Sequence, residues 1–384
     1  MLRREMDAPA PTVTVRATLT GTPRAAVGRL TAGDRRVLGT WGAAHLGLAV
    51  VAWMAAWMTG QRGLYNALLS TYDQWDEAWY QSIAAHGYFS GHQDKNSTAF
   101  LPGEPVAMAV MHLLVRNWIV AGLLVSLVAG AVALVCLSRL GGGETTLLIL
   151  TAPAAMYLMV GYSEALFLAL ALPAWMAARR RDWLMAGLLT ALAGLVRVNG
   201  LFLLAALLLA AATSERGGRW RALASTSIGF AGPATYELYL WAGTGSWTEY
   251  LRANRQGWDL YFVGPWQSLK NTWDRAFSPG LRADQAAMYQ LEMACMAAGV
   301  LLTLALVWRR AWPEAVYCGL TFTVLGTATF YQSAPRALLL CWPLYIIVAR
   351  AAERRPWVRQ VYLWVCAPLA VIVAVFFFAS RWGA

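Results

Sequence analysis

The sequence predicts an all-α, polytopic integral membrane protein, with about 11 transmembrane helices and short interfacial helices in the first loop outside the cytoplasm. Three observations carry this expectation. Of 384 residues, 59% are hydrophobic and 13% charged, about half the charged share of a soluble domain. Runs such as 118 to 138 (WIVAGLLVSLVAGAVALVCLS) and 358 to 380 are long enough to cross a hydrocarbon core of ~30 Å at ~1.5 Å per residue. With the N-terminus inside, the cytoplasmic segments hold 20 of the 31 basic residues, as the positive-inside rule requires.

Taken in order, residues 1–37 hold seven arginines and no long apolar run; they read as a disordered basic cytoplasmic tail and not as a cleaved signal peptide. Residues 38–384 form one transmembrane domain, with candidate spans near 38–59, 118–138, 145–160, 163–178, 183–196, 198–212, 222–242, 285–308, 313–331, 335–350 and 358–380. As one helix, 183–212 would be about 45 Å long, but it would put ERGGRWR outside and invert every later loop. The helix therefore breaks at RVNG, 197–200. The run PVAMAVMHLLV, 105–115, is too short to span, and is a half-helix or re-entrant piece of the first extracytoplasmic loop, 60–117. Within that loop, 75–88 (WDEAWYQSIAAHGY) makes a short helix with Trp75, Trp79 and Ile83 on one stripe and Asp76 with Tyr80 on the next. Its aromatic rings favour the headgroup level. A second large extracytoplasmic loop covers 243–284, and no internal repeat is evident.

The five cysteines, Cys136, Cys295, Cys318, Cys341 and Cys366, lie in apolar runs without CxxC spacing. They read as packing thiols. The net charge of +11 comes from 29 Arg and two Lys, Lys95 and Lys270; with abundant Ala and Gly, this bias suggests a GC-rich bacterial genome. Basic cytoplasmic loops explain the charge, so no nucleic-acid partner is implied.

This topology puts WDEAWY (75–80), AFLPGEP (99–105), GYSE (161–164), RVNG (197–200), the loop 243–284 and QSAPR (332–336) on one face, as an outward active site needs. Asp76 is the sharpest candidate, because a carboxylate among aromatic rings at a lipid boundary loses solvation and becomes a stronger base. Its plainer reading is an acid serving a helix N-terminus. Glu77 points to another face and is expected to be solvated. Glu164 and Arg197 end apolar helices, where an unpaired charge costs roughly 2 to 4 kcal/mol; they form a structural pair or contact substrate. Arg336 opposes the charge rule and suits a phosphate partner. Asn199 and Gly200 suit a turn. Glu104 is a weaker second acid, and His86 and His92 lack metal-ligand spacing. No cluster demands a metal, although Asp76 with Glu77 or Glu164 offers weak binding to Mg²⁺ or Mn²⁺.

The ordered motifs WDEAWYQSIAAHGY, AFLPGEP, GYSEALFLAL and RVNG resemble the mannosyltransferase family typified by PIG-V, the GPI mannosyltransferase II. The likeness covers 75–210, and SAPRALLLCWPLY more loosely. It implies the GT-C glycosyltransferase class: multispanning helical enzymes that move a sugar, with inversion, from a polyprenyl monophosphate on the non-cytoplasmic side. The family's loop aspartate falls on Asp76, and other motif positions on Trp75, Gly87, Tyr88, Pro102, Tyr162, Glu164, Arg197 and Asn199; Glu104 departs, where the family is usually apolar. The expectation is a mannosyltransferase of a bacterial plasma membrane and cell envelope, with an extracytoplasmic site. Asp76 is the general base, and Trp75, Tyr80, Glu164, Arg197, Asn199 and Arg336 bind substrate, with Arg252 or Arg255 assisting at the phosphate. The partners are a polyprenyl-phosphate sugar donor, a glycan, lipid or protein acceptor, and the bilayer; no cofactor is required. The alternative is a lipid-linked sugar flippase or transporter, a class in which repeats and midplane charges are common.

In a background without native cysteines, cysteine at position 94 should react with a membrane-impermeant thiol reagent from outside, and cysteine at 217 should not. Labelling of 217 from outside would overturn the break at RVNG.

Overall fold

A computed structural model describes residues 30–58, 69–90, 95–214 and 217–381. Most of the expected tail, His92, position 94 and the pair 215–216 fall outside the described residues. The helices are α1 (Ala32–Met58), α2 (Asp76–His86), α3 (Gly103–Val115), α4 (Trp118–Leu150), α5 (Ser163–Arg179), α6 (Trp183–Val196), α7 (Asn199–Ala212), α8 (Arg219–Ser227), α9 (Ala231–Thr244), α10 (Glu249–Trp258), α11 (Pro265–Ala276), α12 (Ala283–Trp308), α13 (Trp312–Gly326), α14 (Ala334–Leu340), α15 (Trp342–Arg354) and α16 (Pro356–Phe378). Among the described residues, the β-structure amounts to one isolated bridge, Phe262 to Ala328.

The all-α class is what the hydropathy pattern requires, but the span count differs. Among the described residues, four helices, α1, α4, α12 and α16, are long and apolar enough to cross a membrane, and α14 with α15, bent by 73°, makes a fifth if taken as one span. The expected spans at 163–178, 183–196, 198–212 and 313–331 are helices of 14 to 17 residues. A 14-residue helix is about 21 Å long, short of a ~30 Å core. The expected span 145–160 is cut short: the helical piece that follows the kink at Gly142 ends at Leu150, and a 3-10 turn, Ala155–Leu158, comes after it.

Local chemistry sets these boundaries. The first helix starts at Ala32, ahead of residue 38, because Thr31 and Asp34 cap it reciprocally: Asp34 N–H donates to Thr31 Oγ1 (3.1 Å) and Thr31 N–H to the Asp34 carboxylate (2.8 Å). Arg139 of α4 then donates to that carboxylate at 2.8 Å, tying α1 to α4. At Gly142, φ is +83° and ψ 172°, non-helical values that glycine adopts without strain, and α4 is broken there into two helical pieces across a kink. At RVNG the chain does break: Arg197 is extended (φ −149°, ψ 149°) and α7 restarts at Asn199.

One large core joins α1, α4 to α7 and α12 to α16. A smaller one, built on Tyr80, Ile83, Tyr88, Phe100, Met108, Tyr236 and Leu240, seats α2 and α3 against α9. The stripe expected at the headgroup level is therefore partly inside protein. Trp79 stacks on Phe100 with ring centroids 5.5 Å apart, and Tyr80 and Ile83 are buried; of these aromatics, Trp75 remains exposed. α2 rests on protein because Phe100 and Trp258 supply rings for it to pack against.

The crossing of α6 and α9 depends on Gly232, where an added Cβ would collide with the backbone carbonyl of Ala191. Gly232→Ala should separate these helices and cost about 1 to 3 kcal/mol, seen as a lower unfolding temperature. An unchanged transition would contradict the close crossing.

Candidate active site

The six polar segments of the sequence line one cleft of about 760 Å³. The first turn of α2 supplies Asp76, preceded by Trp75 at φ +53°. A bulky residue in that region is strained, a state that persists where its surroundings over-determine it. Tyr162 helps to do so: its hydroxyl accepts the Asp76 N–H (3.2 Å) and donates to the Gln74 carbonyl (3.1 Å).

Beneath Asp76 lies Glu164, fully buried in the first turn of α5. Its Oε1 accepts from Arg336 Nε at 2.5 Å and from an Arg197 terminal nitrogen at 3.0 Å. Arg336 also donates to Asp76 Oδ2 at 2.8 Å, while Arg197 donates to Ser163 Oγ at 2.7 Å. Tyr80 donates to the same Ser163 oxygen at 3.1 Å. The Arg336 guanidinium lies 4.8 Å and 4.9 Å from the ring centroids of Tyr157 and Tyr162, close enough for cation–π attraction. Glu292 of α12 accepts the backbone N–H groups of Ser333 and Ala334 (3.0 and 2.5 Å) and fastens the start of α14, which carries Arg336.

The four charges cancel in sign, two carboxylates against two guanidinium groups, and this is what makes their burial tolerable. Exposure divides the roles. The Asp76 side chain is 21% exposed and that of Arg336 5%; Arg197 is 19% exposed, and its Nε has no partner. Asp76 and Arg197 therefore meet the cleft, with Arg336 and Glu164 behind them.

Part of the chain is similar to GPI alpha-1,6-mannosyltransferase 2. The protein of that name from Mus musculus is 35% identical over 165 residues, 38% of this chain and 32% of the mouse chain. The Rattus norvegicus protein is 35% identical over 158 residues, 36% and 31% of the two chains. The matched stretch thus spans about a third of these curated relatives. No family model matches the chain, and no solved structure matches it.

Of the residues singled out in the sequence, Trp75, Asp76, Tyr80, Arg197, Asn199 and Arg336 all line the cleft, and Glu164 supports it from below. Glu164 and Arg197 are bonded to each other. Asn199 Nδ2 lies 3.4 Å from Thr321 Oγ1. Arg252 is bonded to Glu249 and Gln256, and Arg255 lies over the Tyr261 ring. From their helix, α10, it is Tyr250, Asn254 and Trp258 that reach the cleft. Two residues were missed, Ser163 and Glu292. A lone acid inside the apolar run 285–308 was the signal for Glu292, because an ionisable group there needs a partner.

Glu77 requires a correction. Far from being solvated, it is fully buried, as is Glu104. Burial pushes the Glu77 carboxyl well above the usual carboxylate range, with Asp73 and Glu104 adding to the rise. Glu77 is buried because α2 packs on protein, so the helix face opposite Asp76 meets α4 and the α5 turn instead of water. Among the described residues, no group of three or more His, Cys, Asp or Glu is placed to hold a metal ion. A weak Mg²⁺ or Mn²⁺ at Asp76 and Glu164 would have to displace Arg336 from both.

Arg336→Ala should destabilise the protein by about 3 to 5 kcal/mol, the penalty of stranding buried partners. An unfolding temperature equal to that of wild type would contradict the network.

Proposed function

We propose that this chain is an integral membrane mannosyltransferase, moving mannose from a polyprenyl-phosphate mannose donor to an acceptor hydroxyl with inversion. The observation that carries the reading is an aspartate at the wall of a polar cleft, oriented by a buried arginine, beside a second, partly exposed arginine. The similarity to GPI alpha-1,6-mannosyltransferase 2 supports mannose as the sugar.

In this mechanism the acceptor oxygen attacks the anomeric carbon as the bond to the donor phosphate breaks. The hydroxyl proton passes to Asp76, and polyprenyl phosphate departs with the bonding electrons. Arg336 holds Oδ2 of Asp76, which leaves Oδ1, unpartnered among the described residues, to take the proton. Arg197 presents its exposed edge to the leaving phosphate. Arg336, held by two carboxylates, positions the base rather than gripping the phosphate.

An apolar groove of about 360 Å³, lined by Met296, Val300, Leu304 and Phe322, meets the cleft at Thr327. Its lining and position suit the hydrocarbon chain of the donor. The basic-residue distribution supports a cleft on the extracytoplasmic face of a bacterial plasma membrane. The acceptor is a lipid, glycan or protein hydroxyl.

Purified protein given radiolabelled polyprenyl-phosphate mannose should transfer label to extracted acceptors, and Asp76→Asn should lower the rate about 10²- to 10⁴-fold. Undiminished transfer by Asp76→Asn would remove Asp76 as the base. Donor movement across vesicles without transfer would replace the enzyme by a flippase.

A further inference from the structure

Glu77 and Glu104 belong to no part of this mechanism. Glu77 follows Asp76 in the first turn of α2, and Glu104 sits in the first turn of α3. Both are fully buried, and among the described residues none of their four carboxyl oxygens has a hydrogen-bond partner.

The Glu77 carboxyl fills a slot that glycines leave open. A Cβ on Gly161 would lie 2.6 Å from its Oε1, and one on Gly122 of α4 3.4 Å from it. Gly161 directly precedes Tyr162, Ser163 and Glu164, the residues that brace Asp76 and anchor the ion network. Glu77 is thus wedged between the turn that presents Asp76 and the turn that presents Glu164.

The surroundings of this wedge oppose a negative charge. Asp73 and Tyr72 approach it from the chain before α2, and Glu104 from α3; α4 offers it the backbone of Gly122. Glu104 in turn faces Glu164 of α5 and Arg197 after α6. The one cation in that set is already bonded to Glu164. Burial first, and the neighbouring carboxylates next, push both acids well above their usual range. A buried carboxylate without donor or cation is far costlier than the neutral acid.

We infer that Glu77 is a positioning residue: as a neutral carboxylic acid seated against Gly161, it holds the Asp76 turn in register with the Ser163–Glu164 turn, with Glu104 a second neutral acid beside it. Loss of the Glu77 proton releases the wedge and misplaces the base. The effect on transfer rests on the mannosyltransferase reading; the protonation state does not. The sign of the linkage follows from the raised folded value. Stability is greatest below the unfolded carboxyl range and falls as pH rises toward the folded value.

The test uses the full chain in lipid. Infrared spectra at pH 8 should show the carbonyl band of protonated carboxyl groups, diminished in Glu77→Gln and again in Glu104→Gln. An undiminished band in both would overturn the proposal. The wild-type unfolding temperature should fall between pH 5 and 8 more than that of Glu77→Gln, and equal slopes would count against it. In the transfer assay, wild type should lose about tenfold per pH unit above the Glu77 titration, and Glu77→Gln should lack that limb. An identical alkaline limb in both would overturn the positioning role. Gly161→Ala should impair transfer through collision with Glu77, with recovery in the Gly161→Ala, Glu77→Ala double variant; no recovery would overturn the wedge. A wild type silent at every pH would sink the transferase reading, and with it the catalytic role of Glu77, while the infrared result would still decide the proton.

Discussion

One buried carboxylate, that of Glu164, organises the cleft. It sits at the start of α5 with no exposed surface and is neutralised by guanidinium groups from two distant places, Arg197 at the end of α6 and Arg336 in α14. An unpaired charge there would be intolerable, so the ends of three helices must meet at one point. Arg336 carries the network onward to Asp76 of α2, which fixes the outer segment to the bundle. The tyrosines that flank Arg336, and the Glu292 carboxylate at the start of α14, limit where that arginine can lie. Helix ends separated by as many as 260 positions in sequence are thereby held within hydrogen-bond distance.

Charge balance gives the arrangement its chemical character. Because two carboxylates and two guanidinium groups cancel, the cleft holds ionised groups without a large net field, with one carboxylate and one guanidinium at its wall. The aspartate is anchored by one oxygen, and the arginine beside it is partly exposed. The cleft walls are otherwise aromatic and amide-bearing, from Trp75, Tyr250, Asn254 and Trp258. The adjoining apolar groove continues the cleft toward the long helix α12 and the shorter α13.

How much of this was legible in the sequence depends on the kind of signal. The break at RVNG was legible because charge along the chain left one consistent reading, and a polar residue and a glycine mark the turn. Asp76, Glu164, Arg197 and Arg336 were legible because charges in apolar surroundings demand partners, although which partner each takes is set by tertiary packing. The number of full-length helices was not legible. Hydropathy reports apolar content without length, so short helices such as α6 and α7 score like spans. Glu77 was misjudged because an acid next to an exposed Trp75 looks wet until the neighbouring protein is known. Its burial depends on Gly161 and Gly122, which the sequence shows only as two glycines far away.

The central claim is that Asp76 and Arg336 act as one unit, the arginine serving through the aspartate. A double-mutant cycle on the transfer rate, with Asp76→Asn, Arg336→Lys and the pair, tests it most directly. If they are one unit, the double variant transfers no more slowly than the worse single variant. Losses that multiply would show two independent contributions and contradict the account.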